Sequence, residues 1–208
     1  MPISTPDLIL FYWAALALNV TPGNDMMFVL GQSLKGGERS GLAGALGVGA
    51  GGLVHLALVA LGVAVVLAEH PMGFTILRYG GAAYLLWLAV KTLAQKPDFA
   101  PDAVACGGLL RAFRDGLVVN VLNPKVILFM FAFLPPFVRP ENGSPLGQLI
   151  ILGLIFILNG TLVNSVVALT AGRIGQRLAR DHSLARWFQR VSAGVFGLLA
   201  LRLVVERK

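Results

Sequence analysis

The 208-residue chain is 56% hydrophobic, and only 13% of its residues are charged. Soluble domains contain about 25% charged residues, and a fold of this length could not hide so much apolar surface from water. The composition therefore predicts a membrane protein. The net charge of +7 is explained by basic cytoplasmic loops. Nucleic-acid binding is not expected, because no pattern of interleaved aromatic and basic residues accompanies the charge.

Six stretches are apolar enough to cross a membrane, which takes about 20 residues per helix. Charges, glycines and prolines separate them, and the longest separation, residues 95–112, is predicted to be a linker between two halves. We expect a single transmembrane domain over residues 1–208, with one unit over about 1–94 and another over about 113–208. The predicted spans are residues 8–34, 42–68, 72–94, 113–138, 146–171 and 187–205.

The distribution of basic residues predicts the orientation. Most of the 17 Lys and Arg residues lie in or beside the connections after spans one, three and five. Cytoplasmic loops of membrane proteins are enriched in these cations. We therefore expect a multi-pass protein of the bacterial inner membrane with both termini outside the cytoplasm.

The two halves share a short motif. Span one contains Asn19-Val20 followed by Thr21-Pro22-Gly23-Asn24-Asp25, and span four contains Asn120-Val121 followed by Leu122-Asn123-Pro124-Lys125. Each motif opens a unit of three spans, and three is odd, so the second unit must enter the membrane from the opposite side. The predicted fold class is an all-α integral membrane protein with six transmembrane helices as two inverted three-helix repeats, an arrangement typical of secondary transporters.

Proline lies near the middle of spans one and four. Pro22, which precedes Gly23, and Pro124 each remove a backbone donor and are expected to break their helices. Broken backbone at membrane depth occurs where it is buried in protein or lines a cavity. The two helix ends at a break present N–H groups and carbonyls, which attract opposite charges. Two such breaks would suit the two charges of a zwitterionic amino acid.

Asp25 and Lys125 place ionisable groups deep in apolar spans, at a cost of about 2.5–3.5 kcal/mol each on insertion scales. We predict that they face one another across the repeat interface and that Asp25 binds a substrate ammonium group or a coupling proton. A purely structural ion pair is the alternative. The other candidates for substrate or ion binding flank the breaks: Asn19, Thr21, Asn24, Asn120 and Asn123.

Four further polar residues lie within spans two and five. Their side chains are predicted to form hydrogen bonds between helices and not to bind ligand. These residues are His55, Asn159, Asn164 and Ser165.

At the two break motifs the chain resembles the lysine exporter / homoserine–threonine exporter (LysE/RhtB) family. That family has a Thr-Pro-Gly-Pro-Asp/Asn run in its first helix and a Leu-Asn-Pro-Lys run in its fourth, followed by a Phe-rich stretch that ends Leu-Pro-x-Phe. Here Asn24 stands where the second proline is usual, and the Phe-rich stretch ends Leu134-Pro135-Pro136-Phe137. The resemblance implies proton-driven efflux of amino acids or their derivatives from the cytoplasm.

The acidic residues indicate the charge of the substrate and help to distinguish a transporter from other classes of membrane protein. Asp25 is the only acidic residue well inside a predicted span, so a neutral amino acid is favoured over a cationic one. An enzyme is not expected, because intramembrane hydrolysis needs a nucleophile with a base, paired aspartates or a metal cluster. An exporter of ions or metal cations is the alternative, although Cys, His and carboxylate ligands are scarce.

The expected partners are the amino acid, protons and the lipid bilayer, and no cofactor or resident metal is predicted. Glycine-rich faces on spans two and six suit packing within one chain or between copies. A homo-oligomer is therefore left open.

Overall fold

A computed structural model of the chain describes residues 3–69, 73–94, 107–171 and 182–205. The regular secondary structure in these ranges is helical throughout. Most of the predicted linker over residues 95–112 lies outside them. In chain order the helices are α1 (Thr5–Val20), α2 (Asn24–Glu69), α3 (Gly73–Ala94), α4 (Leu109–Val121), α5 (Pro124–Phe133), α6 (Pro145–Thr170) and α7 (His182–Val205), with 3-10 turns at Pro135–Phe137 and Pro140–Asn142.

Helix α2 folds back on itself at Gly37. This glycine has a φ of 78°, which lies in the region that favours glycine over other residues. Phe28 and Val48 belong to the same buried cluster, yet in a straight helix they would lie about 30 Å apart. Residues 24–36 and 38–69 therefore form two arms that run in opposite directions. The first arm completes predicted span one, and the second arm is predicted span two.

Predicted spans one and four are each interrupted by a short segment without helical structure. α1 ends at Val20 and α2 begins at Asn24. α4 ends at Val121 and α5 begins at Pro124, and these two helices are inclined to one another by 54°. Proline is tolerated at the first position of a helix because its missing N–H would have no intrahelical partner there. The helix is thus interrupted at both break motifs, and the chain bends sharply at the second.

The outer faces of the helices are apolar. Within the described residues, Asn24–Gly62, which includes the reversal at Gly37, and Pro145–Thr170 each contain a stretch long and apolar enough to cross a membrane, and the bent pair α4–α5 is a third span if it is counted as one. The large side chains that point away from the bundle include Leu61, Leu158, Leu162, Leu198 and Val205. Soluble monomers rarely expose so much contiguous apolar surface, whereas lipid accommodates it. The protein is therefore an all-α membrane protein.

Helix packing brings the two break segments together. α2 packs along α4 and α6, α3 packs against α5 and α7, and α1 packs against α6 and α7. On one side of the breaks, phenylalanines from α1, α5, α6 and the 3-10 turn after α5 form an aromatic cluster, with neighbouring ring centroids 4.5–5.5 Å apart. The cluster consists of Phe11, Phe129, Phe133, Phe137 and Phe156.

Helices α2 and α4 cross with their backbones in close contact. A Cβ atom added to Gly47 would meet the backbone carbonyl of Phe113, and one added to Gly116 would meet the backbone carbonyl of Gly44. A backbone atom cannot move aside unless its helix shifts. The glycines of span two, predicted to serve close helix packing, do so at this crossing.

We expect Gly47→Ala to lower the free energy of unfolding by about 1–3 kcal/mol, the usual effect of overpacking. The measurement is the thermal-unfolding midpoint of the purified protein in detergent. Gly80→Ala is the matched control, because a Cβ atom at Gly80 meets nothing within 4 Å. An equal decrease in both variants would contradict the close crossing.

Candidate functional site

The two break segments and one face of α3 enclose a cavity of about 190 Å³. This volume suits a small organic molecule. We call it the central cavity. The residues that line it are Thr21, Pro22, Gly23, Asn24, Tyr84, Trp87, Leu88, Lys91, Thr92, Asn123, Pro124, Lys125 and Leu128.

The Lys125 side chain binds the end of α1. Its ammonium group donates to the backbone oxygens of Leu18 at 3.0 Å and Thr21 at 2.9 Å. The last carbonyls of a helix lack intrahelical donors and form the negative end of the helix dipole, so a cation is stabilised there. An ammonium group has three N–H donors, and these two bonds leave one directed elsewhere. Lys125 belongs to the second break motif, and its side chain thus stabilises the helix end at the first break.

Asn123 and Tyr84 hold Lys125 in place. The Asn123 side-chain oxygen accepts from the Lys125 backbone N–H at 3.0 Å and so caps α5. The Tyr84 hydroxyl donates to the Lys125 backbone oxygen at 3.4 Å. The side chain of Asn123, a predicted candidate for substrate or ion binding, thus bonds backbone at the start of α5 in this structure.

The Asp25 carboxylate accepts a hydrogen bond from α4 and, in the described structure, forms no ion pair with Lys125. Its Oδ2 accepts from the Asn120 side-chain nitrogen at 2.9 Å, and the Asn120 backbone oxygen lies 2.9 Å from His55 Nε2. No ion pair joins Asp25 to Lys125 in the described part of the chain. The two side chains line one small cavity, but their hydrogen bonds form two separate links, each from one break motif to the other.

A second, much smaller cavity separates these links. It has a volume of about 20 Å³, enough for one water molecule, and its lining includes Asp25, Lys125, Asn19 and Asn164. Asp25 Oδ1 and Asn164 Oδ1 are both buried, and neither has a hydrogen-bond partner among the described residues. Buried polar atoms are rarely left unpaired. Both residues line the small cavity, so it contains at least two described residues with an unpaired buried oxygen.

The polar residues of α2 and α6 behave in different ways. Asn19 donates from Nδ2 to the Phe156 backbone oxygen and to Asn159 Oδ1, both at 3.3 Å. The predicted hydrogen bonds between helices are thus confirmed for Asn159 and, through Asn120, for His55. The prediction is wrong for Ser165, whose hydroxyl donates to the Thr161 backbone oxygen of its own helix at 2.7 Å. Such bonds within a helix are common for serine.

The sequence did not predict that one face of α3 belongs to the site. Tyr84, Trp87, Leu88 and Lys91 line the central cavity, and their spacing of three and four residues places them on one helical face. The Lys91 ammonium nitrogen lies 4.5 Å from the centroid of the Trp87 ring, within the range of a cation–π interaction. Lys91 was predicted only as a cation beside a loop, although the spacing of its neighbours could have identified the face.

A polar cluster beyond the aromatic cluster was also missed. Arg139 Nη2 lies 3.6 Å from Asp7 Oδ2, and both side chains are largely buried. Asp7 also accepts from the Ser4 hydroxyl at 2.8 Å. Gln148 bonds the N–H and the carbonyl of Arg139, each at 2.8 Å. These contacts attach the start of α1 to the connection between α5 and α6.

Helices broken around a polar cavity, in a chain with apolar outer faces, are typical of membrane transport proteins. The chain belongs to the LysE type translocator family, whose model matches residues 16–207. This match confirms the resemblance found at the two break motifs. The family is one of transport proteins and not of enzymes.

Similar proteins include two named efflux proteins. The chain is 30% identical over 173 residues to the homoserine/homoserine lactone efflux protein of Salmonella typhimurium, covering 78% of this chain and 77% of that protein. It is 35% identical over 146 residues to the leucine efflux protein of Salmonella choleraesuis, covering 65% and 68%. An uncharacterized membrane protein of Pseudomonas aeruginosa is 36% identical over 182 residues, covering 83% and 80%. No solved structure matches the chain.

Proposed function

We propose that the protein is a secondary transporter that exports small neutral amino acids or their derivatives from the cytoplasm by proton antiport. The observation that most supports this function is the central cavity, which lies between two helix breaks and contains oppositely polarised helix ends. The efflux proteins named for homoserine, homoserine lactone and leucine support an amino acid as the substrate.

The proposed fold is a single domain of six spans in two inverted repeats, over residues 1–94 and 113–208. Two corresponding contacts support it. Asn19 bonds α6, and Asn120 bonds the second arm of α2 through His55. The same correspondence is present in the helix packing, because α1 packs on α6 and α4 packs on α2. Inverted repeats would place equivalent residues against equivalent helices in this way.

The proposed substrate position follows from the polarity of the helix ends. α2 and α5 both begin at the central cavity, at Asn24 and Pro124, and the start of a helix attracts anions. The third N–H of Lys125 adds a donor for a carboxylate. The α1 carbonyls already bind Lys125, so the substrate ammonium group needs other acceptors, for which the nearby candidates are the Thr21 hydroxyl and the Asn24 side chain.

Asp25 is the proposed proton carrier. Its Oδ1 is buried without a hydrogen-bond partner in the described structure, and the equally unpaired Asn164 Oδ1 lines the same small cavity. A proton on Asp25 Oδ1 would give this oxygen, which has no partner among the described residues, a hydrogen to donate into the small cavity. Because Asp25 is also bonded to Asn120, a change in its charge would alter the link between the two break motifs.

The proposed orientation places both termini outside the cytoplasm in the inner membrane. The Lys91 end of α3 then faces the cytoplasm, and the central cavity lies toward that side. On the opposite side the aromatic cluster and the Asp7–Arg139 pair fill the space between α1 and α5. A cavity accessible from the cytoplasm and closed on the far side is the state in which an exporter takes up its substrate.

The test is efflux from cells preloaded with radiolabelled amino acids, with and without a protonophore. We expect the expressed protein to accelerate the efflux of neutral amino acids, and we expect the protonophore to abolish this acceleration. The alternative, an exporter of ions or metal cations, predicts no acceleration for any amino acid. Within the described residues no three His, Cys, Asp or Glu side chains are grouped so as to hold a metal ion.

A further inference from the structure

The side-chain charges around the central cavity are of one sign. Its ionisable charged lining residues in the described structure are Lys91 and Lys125, and no carboxylate lies among them. Asp25 instead lines the small cavity on the other side of the break. The starts of α2 and α5 add partial positive charge at the same place. The cavity is therefore a positive site with one apolar, aromatic wall.

The two lysines differ in how far their charge is compensated. Two of the three Lys125 donors are bonded to α1 carbonyls, and those carbonyls are the negative end of a helix. Lys91 lies over the Trp87 ring and forms no ion pair with a described residue. An aromatic ring positions an ammonium group but neutralises it much less than a carboxylate does. Lys91 is thus the less compensated positive charge of the two.

Lys91 also lies where the substrate side chain would be. If the substrate carboxylate binds the starts of α2 and α5, the side chain must extend into the remaining volume, toward α3. That wall consists of Tyr84, Trp87, Leu88 and Lys91, with Leu128 of α5 beside it. Apolar groups there accept an aliphatic side chain, whereas the Lys91 ammonium repels a second cation.

We infer that Lys91, held over Trp87, determines the charge selectivity of export: it admits amino acids with neutral side chains and rejects those with an ammonium or guanidinium group. This inference rests on the proposed function. Lys91 is exposed, so solvent screens its charge, yet reversing one charge a few ångströms from another still changes relative affinities by about an order of magnitude. A positive residue at position 91 is a specificity element and not part of the proton carrier.

The test compares leucine, homoserine and lysine as radiolabelled substrates of the full-length protein in proteoliposomes. We expect Lys91→Glu to raise the ratio of lysine to leucine transport by at least about tenfold, and we expect Lys91→Arg to keep the wild-type ratio. Arg190→Glu is the matched control, because it changes the net charge equally at an exposed position on α7 outside the cavity. A merely structural role for Lys91 would change all rates together and not their ratio.

Three outcomes decide the matter. A Lys91→Glu variant that transports leucine with the wild-type lysine-to-leucine ratio overturns the inference but leaves the proposed function intact. A wild-type protein that transports none of the three amino acids refutes the proposed function itself. If Lys91→Glu no longer transports any substrate, the measurement becomes the increase in the thermal-unfolding midpoint that each amino acid causes on binding. Lysine must then stabilise Lys91→Glu more than it stabilises the wild type, and the absence of this gain overturns the inference.

Discussion

Asp25→Asn is expected to abolish proton-driven efflux while leaving the protein folded and inserted. Asparagine retains an oxygen that can accept the bond from Asn120, which Asp25 Oδ2 accepts at 2.9 Å in the native chain. It cannot bind and release a proton, so a transporter that depends on this proton should fall to the background rate. The measurement is efflux of radiolabelled amino acid from preloaded cells, normalised to the amount of protein in the membrane.

Asp115→Asn is the matched control for this variant. Asp115 forms a solvent-exposed pair with Arg111 at 3.7 Å on α4, and exposed pairs of this kind contribute little to stability. We expect wild-type efflux from it. Normal gradient-driven efflux from Asp25→Asn would remove Asp25 from the mechanism, and equal loss in both variants would attribute the effect to α4 packing instead.

Lys125→Met is expected to reduce both stability and transport. Methionine is similar in length but leaves the Leu18 and Thr21 carbonyls, which now accept at 3.0 and 2.9 Å, without a donor. An unsatisfied buried acceptor costs about 1–3 kcal/mol, so we expect a loss of about 2–4 kcal/mol in the free energy of unfolding. The central cavity also loses the ammonium group proposed to bind the substrate carboxylate.

The stability effect is measured as the thermal-unfolding midpoint in detergent, and transport is measured per folded molecule. Arg114→Met is the control, since it removes a cation from an exposed position of α4. A Lys125→Met protein with the wild-type midpoint would contradict the role of Lys125 at the end of α1. A lowered midpoint with full transport would confine that role to structure and remove Lys125 from substrate binding.

The helices could be predicted from the sequence because apolar length and proline position both act locally. Residues 146–171 were predicted as span five, and α6 occupies Pro145–Thr170. The break motifs were recognisable for the same reason, because proline perturbs the helix that contains it. Charges and glycine between spans one and two predicted a turn, and α2 reverses at Gly37.

The contacts of the site could not be predicted, because they depend on how distant helices pack. Burial in apolar spans suggested that Asp25 and Lys125 face one another, but it did not reveal their hydrogen bonds, which go to a side-chain amide and to backbone carbonyls. A sequence does not reveal that a broken helix presents free carbonyls to a particular lysine. For the same reason Asp7, which lies before the predicted first span, was not linked to Arg139, more than a hundred residues away.

The α3 face was missed for a different reason. Lys91 follows an apolar stretch, where lysine commonly marks the cytoplasmic end of a helix. That interpretation explains orientation and requires no further role. Only the position of α3 against the two breaks places Trp87 and Lys91 on the central cavity. Residues at the end of a span can serve topology and selectivity together.

The most direct test of the central claim uses the purified protein in proteoliposomes loaded with radiolabelled homoserine or leucine and placed in an acidic external buffer. We expect the inward proton gradient to accelerate release of the amino acid, and we expect proton entry, measured with an internal pH indicator, to accompany each transported molecule. Both signals should disappear in Asp25→Asn and persist in Asp115→Asn. Release of neither amino acid, or release without proton entry, would contradict the central claim.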